Sequence, residues 1–193
     1  AQIGNVKYAT LGEAIAALKD GETLVILQSF TASANEFIEL NGKKNITITA
    51  AEGVVIDGSI EVGYHPSHVN YGSDVDGTFT VKNLTVNGTL TIYSNNANLV
   101  VKNNNVAQLT VKIGTANANI VIDGNTADSS KGEDKNGYGM FIIPNATAYD
   151  LTVSDNTFKN ISGHAFTIQG GGDGNVATAA NSIAFANNTF DSW

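Results

Sequence analysis

The stretch Leu99–Asn125, LVVKNNNVAQLTVKIGTANANIVIDGN, decides the fold. It holds two short apolar strands, Leu99–Val101 and Leu109–Val111, and a third begins at Ile120. The third strand resembles the first, and Asn125 follows Asn104 by 21 residues in similar surroundings. A period in this range marks a solenoid, in which each repeat buries its apolar face only against its neighbours.

The same pattern recurs to either side. Its copies are FTVKNLTV (79–86), LVVKNNNV (99–106), IVIDGNTA (120–127), LTVSDNTF (151–158) and IAFANNTF (183–190). Asn holds the sixth position at 104, 125, 156 and 188, in steps of 21, 31 and 32 residues. A short repeat therefore carries an insertion of about ten residues twice. Ile46 and Ile48 begin a more degenerate copy. A second strand follows each first one: Leu90–Ile92, Leu109–Val111, Met140–Ile143 and Phe166–Ile168. Stacking such repeats gives parallel sheets with inward side chains in columns. A column of Asn at a bend can satisfy backbone groups that a tight corner leaves unpaired. Phe158 and Phe190, each two residues beyond its Asn, predict an aromatic stack inside.

Upstream, Thr23–Leu27, Phe37–Leu40, Ile46–Thr49, Val54–Asp57 and Ile60–Val62 read as strands. Asn41-Gly42 and Asp57-Gly58 could signal hairpins, but the long period argues for parallel stacking. Residues 3–21 read as a strand fragment followed by a helix. Thr10-Leu-Gly-Glu13 is a capping box, and Leu11, Ala14, Ile15 and Leu18 share one helical face. Gly21 is the expected residue just past the helix end. An amphipathic helix here would close the open end of a solenoid, with residues 1–22 as cap and 23–193 as coils of a single domain.

These residues resemble the right-handed parallel β-helix of the pectate-lyase-like superfamily, asparagine ladder included. The opening from Tyr8 to Leu24, YATLGEAIAALKDGETL, resembles the capped start of β-helix domains in bacterial surface proteins, many of them from gut Firmicutes. The resemblance implies an all-β, right-handed parallel β-helix of roughly six or seven coils with an N-terminal amphipathic capping helix. It implies much less about function, since the superfamily holds lyases, hydrolases, adhesins and phage spikes.

Composition narrows the choices. The chain of 193 residues has 42% hydrophobic and 15% charged residues, enough to bury a sizeable core. Net charge is −8 and no residue is Arg, which argues against nucleic acid and anionic membrane surfaces as partners. There is no Cys, so disulfides and thiolate metal sites are excluded. No apolar run approaches the roughly 18 residues of a membrane span. No signal peptide is evident, so the chain reads as cytosolic or as a mature or excised segment. A Cys-free chain rich in Asn, Thr and Gly fits an exported bacterial protein.

Three places invite chemistry. By resemblance, a pectate lyase would need a strong base, commonly Arg, beside Ca²⁺ held by clustered Asp. Lys82 and Lys102 could serve as base but hold equivalent places in the repeat, as a solvated column would. The polygalacturonase motifs are also missing: Gly163-His164 is followed by Ala165, and no Asp-Asp pair exists. His164 then reads as a strand-edge residue. The segment Gly63–Gly77 interrupts the repeat and gathers Tyr64, His65, His68, Tyr71, Asp74 and Asp76. Long inserted loops in solenoids often carry binding. Two Tyr and two His suit a sugar platform, and Asp74-Val-Asp76-Gly77 has the spacing of half a Ca²⁺ loop. A surface loop without a ligand is the alternative. The segment Ala127–Gly139, with Asp128, Glu133, Asp134 and Tyr138, reads as a solvated loop.

The expectation is a secreted or cell-surface bacterial module that does not catalyse: adhesin-like, glycan-binding or a spacer, with a glycan or host-surface ligand as partner. A carbohydrate-active lyase or hydrolase acting on acidic glycans is the alternative. No cofactor is expected, apart from Ca²⁺ at Asp74 and Asp76. The coil ending near Trp193 is expected either to be covered by Phe190 and Trp193 or to continue into further sequence.

Overall fold

The computed structural model describes residues 1–33, 36–40, 42–63, 77–94, 97–113, 118–132, 137–144, 148–169 and 180–191. The protein is all-β, with large parallel sheets and, among the described residues, one α-helix. Seven strands follow one another in a single parallel run: Thr23–Ile26, Thr47–Ala50, Gly77–Lys82, Ala97–Lys102, Ala118–Asp123, Tyr149–Ser154 and Ala180–Ala186. Register puts the same repeat position in one column: Val81 beside Val101, then Ile122, Val153 and Phe185. Alternation is the cause. Apolar residues recur every second position, so each strand has one face fit for burial.

After each of these strands the chain turns into a second sheet with two branches. One branch holds Phe30–Thr31, Ile56–Asp57, Thr126–Asp128, Thr157–Lys159 and Thr189–Asp191. The other holds Glu36–Glu39, Ile60–Gly63, Met140–Pro144 and Phe166–Ile168. Two long strands, Thr85–Ser94 and Asn105–Ile113, run through both branches. Sequence reading splits each of these into two; the chain instead bends within one strand, with a register shift between Val86 and Thr89. Side chains from all three rows meet in one core running from Ile3 to Ala165. The arrangement is compatible with a solenoid.

The corner after the first row explains the Asn pattern. The residue before each sixth position has a left-handed backbone: Asn83 (φ 56°), Asn103 (54°), Gly124 (64°), Asp155 (55°) and Asn187 (55°). Gly, Asn and Asp tolerate this conformation best, which accounts for their recurrence there. The sixth residue then turns its side chain inward. Asn104, Asn125 and Asn156 are each only 1% exposed. The amide nitrogens donate back to the preceding repeat: Asn104 Nδ2 to the Val81 carbonyl (3.0 Å), Asn125 Nδ2 to Val101 (2.9 Å), Asn156 Nδ2 to Ile122 (2.9 Å) and Asn188 Nδ2 to Val153 (2.9 Å). Each Oδ1 accepts the backbone N–H at the same position one repeat back, from Leu84, Asn104, Asn125 and Asn156 in turn.

The two ends differ. At the first, Gln2–Ile3 and Val6–Lys7 form an antiparallel hairpin, and Gln2–Ile3 pairs antiparallel with Thr23–Ile26. Helix α1 (Leu11–Ala17) starts at the expected capping box, with Glu13 N donating to Thr10 Oγ1 at 3.1 Å. Ala14 and Leu18 are buried in the core, while Leu11 and Ile15 are only half-buried against it. The helix stops earlier than Gly21 suggests. Leu18 leaves helical geometry (ψ 131°) and drops into the core. Gly21, at φ 80°, serves a separate turn and donates its N–H to the Lys44 carbonyl. At the other end Phe190 stacks on Phe158, with ring centroids 5.0 Å apart and an interplanar angle of 12°. Phe190 remains 45% exposed, as do Phe185 (45%) and Ile183 (51%). Trp193 lies outside the described residues.

Candidate functional site

Tyr64, His65, His68, Tyr71, Asp74 and Asp76 lie outside the described residues, as do Glu133 and Asp134. The candidate ligand loop and its Ca²⁺ pair therefore enter no geometry here. The Asn ladder at 104, 125, 156 and 188 is spent on backbone groups and faces the interior.

A different surface gathers chemistry: the outward face of the second branch. Its register sets Phe37 beside Glu61, then Thr91, Thr110, Phe141 and Thr167. The next outward column runs Glu39, Gly63, Tyr93, Lys112 and Ile143. Gly63 has φ 113°, and a Cβ there would fall 2.0 Å from the Tyr93 carbonyl oxygen. Only Gly fits, and beside that side-chain-free position Phe37 meets Tyr93 edge-on at 6.4 Å.

Tyr93 is the centre of this face. It is 5% exposed although it points away from the main core. Its hydroxyl oxygen accepts from Lys112 Nζ at 3.2 Å, and that ammonium lies 4.9 Å from the ring centroid. Burial, then the Glu61 carboxylate beside it and their hydrogen bond, push the Tyr93 phenol up to about 12. It is thus a neutral hydrogen-bonding hydroxyl at physiological pH, and a poor proton acceptor.

Further along, Tyr138 meets Phe141 edge-on at 5.5 Å and stacks on His164 at 5.4 Å. Tyr138 and His164 are remote in sequence, and no motif links them. Backbone bonds from Gly163 N to the Gly137 carbonyl (2.9 Å) and from Gly139 N to the His164 carbonyl (3.0 Å) set the two side by side.

A groove of about 560 Å³ borders the same face where the two branches meet. Ala32, Gly58, Gly88 and Ala107 form its low floor, and Asp57, Asn87, Gln108 and Lys131 supply polar groups. A Cβ on Gly88 would lie 2.5 Å from the Gly58 carbonyl carbon, so close backbone approach keeps the floor flat. Thr89 and Gln108 line the groove two residues before Thr91 and Thr110, which makes groove and face continuous along the strands. Lys131 Nζ donates to Asn105 Oδ1. Burial holds its ammonium below the usual lysine range, against the pull of Asp128.

Lys82 and Lys102 are adjacent in register on the first row, as their equivalent places in the repeat require. Lys102 forms an ion pair with Asp123 at 3.0 Å. Among the described residues no group of three or more His, Cys, Asp or Glu could hold a metal ion, and no helix is long and apolar enough to cross a membrane. Comparison with models of known protein families, with curated proteins and with solved structures finds no match for this chain.

Proposed function

We propose that the chain is a right-handed parallel β-helix of the pectate-lyase-like kind, serving as a glycan-binding module on a bacterial surface or in its secretions. Helix α1 is its cap. The observation that carries the binding reading is the outward face of the second branch. Phe37, Phe141 and Tyr138 offer flat apolar surface, while Glu61 and Lys112, held together through the buried Tyr93 hydroxyl, place an acceptor and a cation beside it. Sugar rings have apolar faces with polar rims, and this combination suits them. The flat-floored groove extends the surface, as an extended chain of sugars would need.

Binding is favoured over cleavage by the state of Tyr93. A lyase needs a base near neutrality, and the Tyr93 phenol at the centre of this face, pushed up to about 12, lies far from it. The test has two arms. A glycan array identifies a ligand, and titration compares wild type with Phe141→Ala/Tyr138→Ala and with Tyr64→Ala/Tyr71→Ala. The first double variant should weaken binding about tenfold or more, the scale of losing aromatic anchors. Equal affinity for wild type and that variant, with an intact circular dichroism spectrum, defeats this face as the site. New reducing ends or unsaturated products from a polysaccharide panel, with or without Ca²⁺, would favour the enzyme instead.

A further inference from the structure

The first insertion, which lengthens the step between Asn125 and Asn156 to 31 residues, begins by turning back on the molecule. After Thr126–Asp128 the chain makes the helical turn Ser129–Lys131, which packs on Asn105–Ile113, the strand one repeat earlier. Asn105 differs from its neighbours in register. Thr85 lies on one side of it, and Thr126, Thr157 and Thr189 follow on the other. These four carry hydroxyls where Asn105 carries a carboxamide, and the carboxamide is what Lys131 reaches.

Lys131 Nζ is in direct contact with Asn105 Oδ1, and both side chains are half-buried. Loss of water pushes the Lys131 ammonium below the usual lysine range. Asp128 pulls the other way, and Lys159, level with Asp128 in register, adds to the push. A desolvated lysine presents more of its neutral amine, which is the nucleophilic form. Asp128 stands ready to move a proton. Its Oδ1 accepts from Ser130 N, Ser130 Oγ and Asn160 Nδ2, while its Oδ2 takes no hydrogen bond among the described residues.

We infer that Lys131 and Asn105 react with each other to form an intramolecular isopeptide bond, with the Asp128 carboxylate carrying the proton. The neutral Nζ adds to Cγ of the Asn105 carboxamide, and the displaced electron pair moves to Oδ1. Asp128 takes one proton from Nζ and delivers it to Nδ2. The electron pair on Oδ1 returns, the Cγ–Nδ2 bond breaks and ammonia leaves. One amide replaces another, so nothing is oxidised or reduced. Holding the two groups in contact removes the entropy that makes such an exchange slow in free solution. The product ties the insertion to the repeat before it, across a separation of 26 residues. It also turns a cation on the groove wall into a neutral amide.

Mass spectrometry of the intact, folded protein tests this directly. Wild type should be lighter than its sequence by one ammonia, and digestion should release a branched peptide joining the Asn105 and Lys131 segments. Lys131→Arg and Asn105→Ala, both at half-buried surface positions, should show the full sequence mass. Asp128→Ala should stay folded by circular dichroism and lose ammonia about tenfold more slowly or worse, the scale of removing a positioned proton carrier. Wild type that keeps its full sequence mass after days under folding conditions overturns the inference. So does an ammonia loss that survives Lys131→Arg, because cyclisation at a site such as Asn87-Gly88 would then account for it. Unslowed bond formation in Asp128→Ala overturns the role given to that carboxylate.

Discussion

At one corner of the repeat, Val54 and Leu84 stand where Asn104, Asn125, Asn156 and Asn188 stand further along. Both solutions are buried, and both follow a left-handed residue, Gly53 or Asn83 in the early repeats. The difference lies in where the backbone N–H goes. Val54 donates to the carbonyl of Ala51 at 3.2 Å, closing a local turn. Asn104 and Asn125 have no such local acceptor and use the Oδ1 of the next repeat. The early corner is self-sufficient and can be aliphatic. The later corner exports its hydrogen bonds and so couples each repeat to the next. Leu84 is the hinge between the regimes: its side chain is apolar, yet its N–H is taken by Asn104 at 3.0 Å.

Breaking the later regime should have the largest effect. Asn125→Leu removes the acceptor for Asn104 N and Asn104 Nδ2 and the donor for the Val101 carbonyl. Each buried group left unmet costs about 1–3 kcal/mol. A large fall in denaturation midpoint is expected. Unchanged unfolding would mean that water or local rearrangement replaces the ladder.

The converse substitution sharpens the comparison. Leu84→Asn gives the early corner a ladder residue, but the Val54 N–H it would serve is already bonded to Ala51. The new amide is buried without its template partner, at a cost of about 1–3 kcal/mol by mutational scales. A Leu84→Asn protein as stable as wild type would show the two corners to be interchangeable.

Much of this was legible in the sequence. The Asn spacing located the inward column, and alternation located the parallel rows, because both follow from local geometry repeated. The residue before each Asn carries a further signal: Asn103, Gly124, Asp155 and Asn187 belong to one left-handed class. The face proposed to bind was not legible. Phe37, Glu61, Tyr93, Lys112 and Phe141 are ordinary alternating residues in their own strands, and only register sets them side by side. Sequence reading places candidate ligand residues where the repeat breaks, at positions 64–76 outside the described residues; the face proposed above lies where the repeat holds.

The smallest effect should come from a column of the same register on the outside of the first row. Lys102, Asp123 and Ser154 link three successive repeats, as the ladder does. Lys102 Nζ lies 3.0 Å from the Asp123 carboxylate, and Ser154 Oγ donates to it at 2.8 Å. The hydrogen bond from Lys102, then that from Ser154, holds the Asp123 carboxyl below its usual range despite some burial. Water and salt reach this column, since the Lys102 side chain is 48% exposed. Asp123→Asn should therefore cost at most about 1 kcal/mol at neutral pH and low salt. The sign with pH follows from the lowered value. The unfolded chain protonates Asp123 first, near about 3.9, so the contribution is complete above that and fades as pH falls through the folded value. Wild type and Asp123→Asn should thus converge in stability in acid and in high salt. A gap as large as that of Asn125→Leu, or one that persists in molar salt, would put the outer column on a par with the ladder and erase the distinction between buried and exposed coupling.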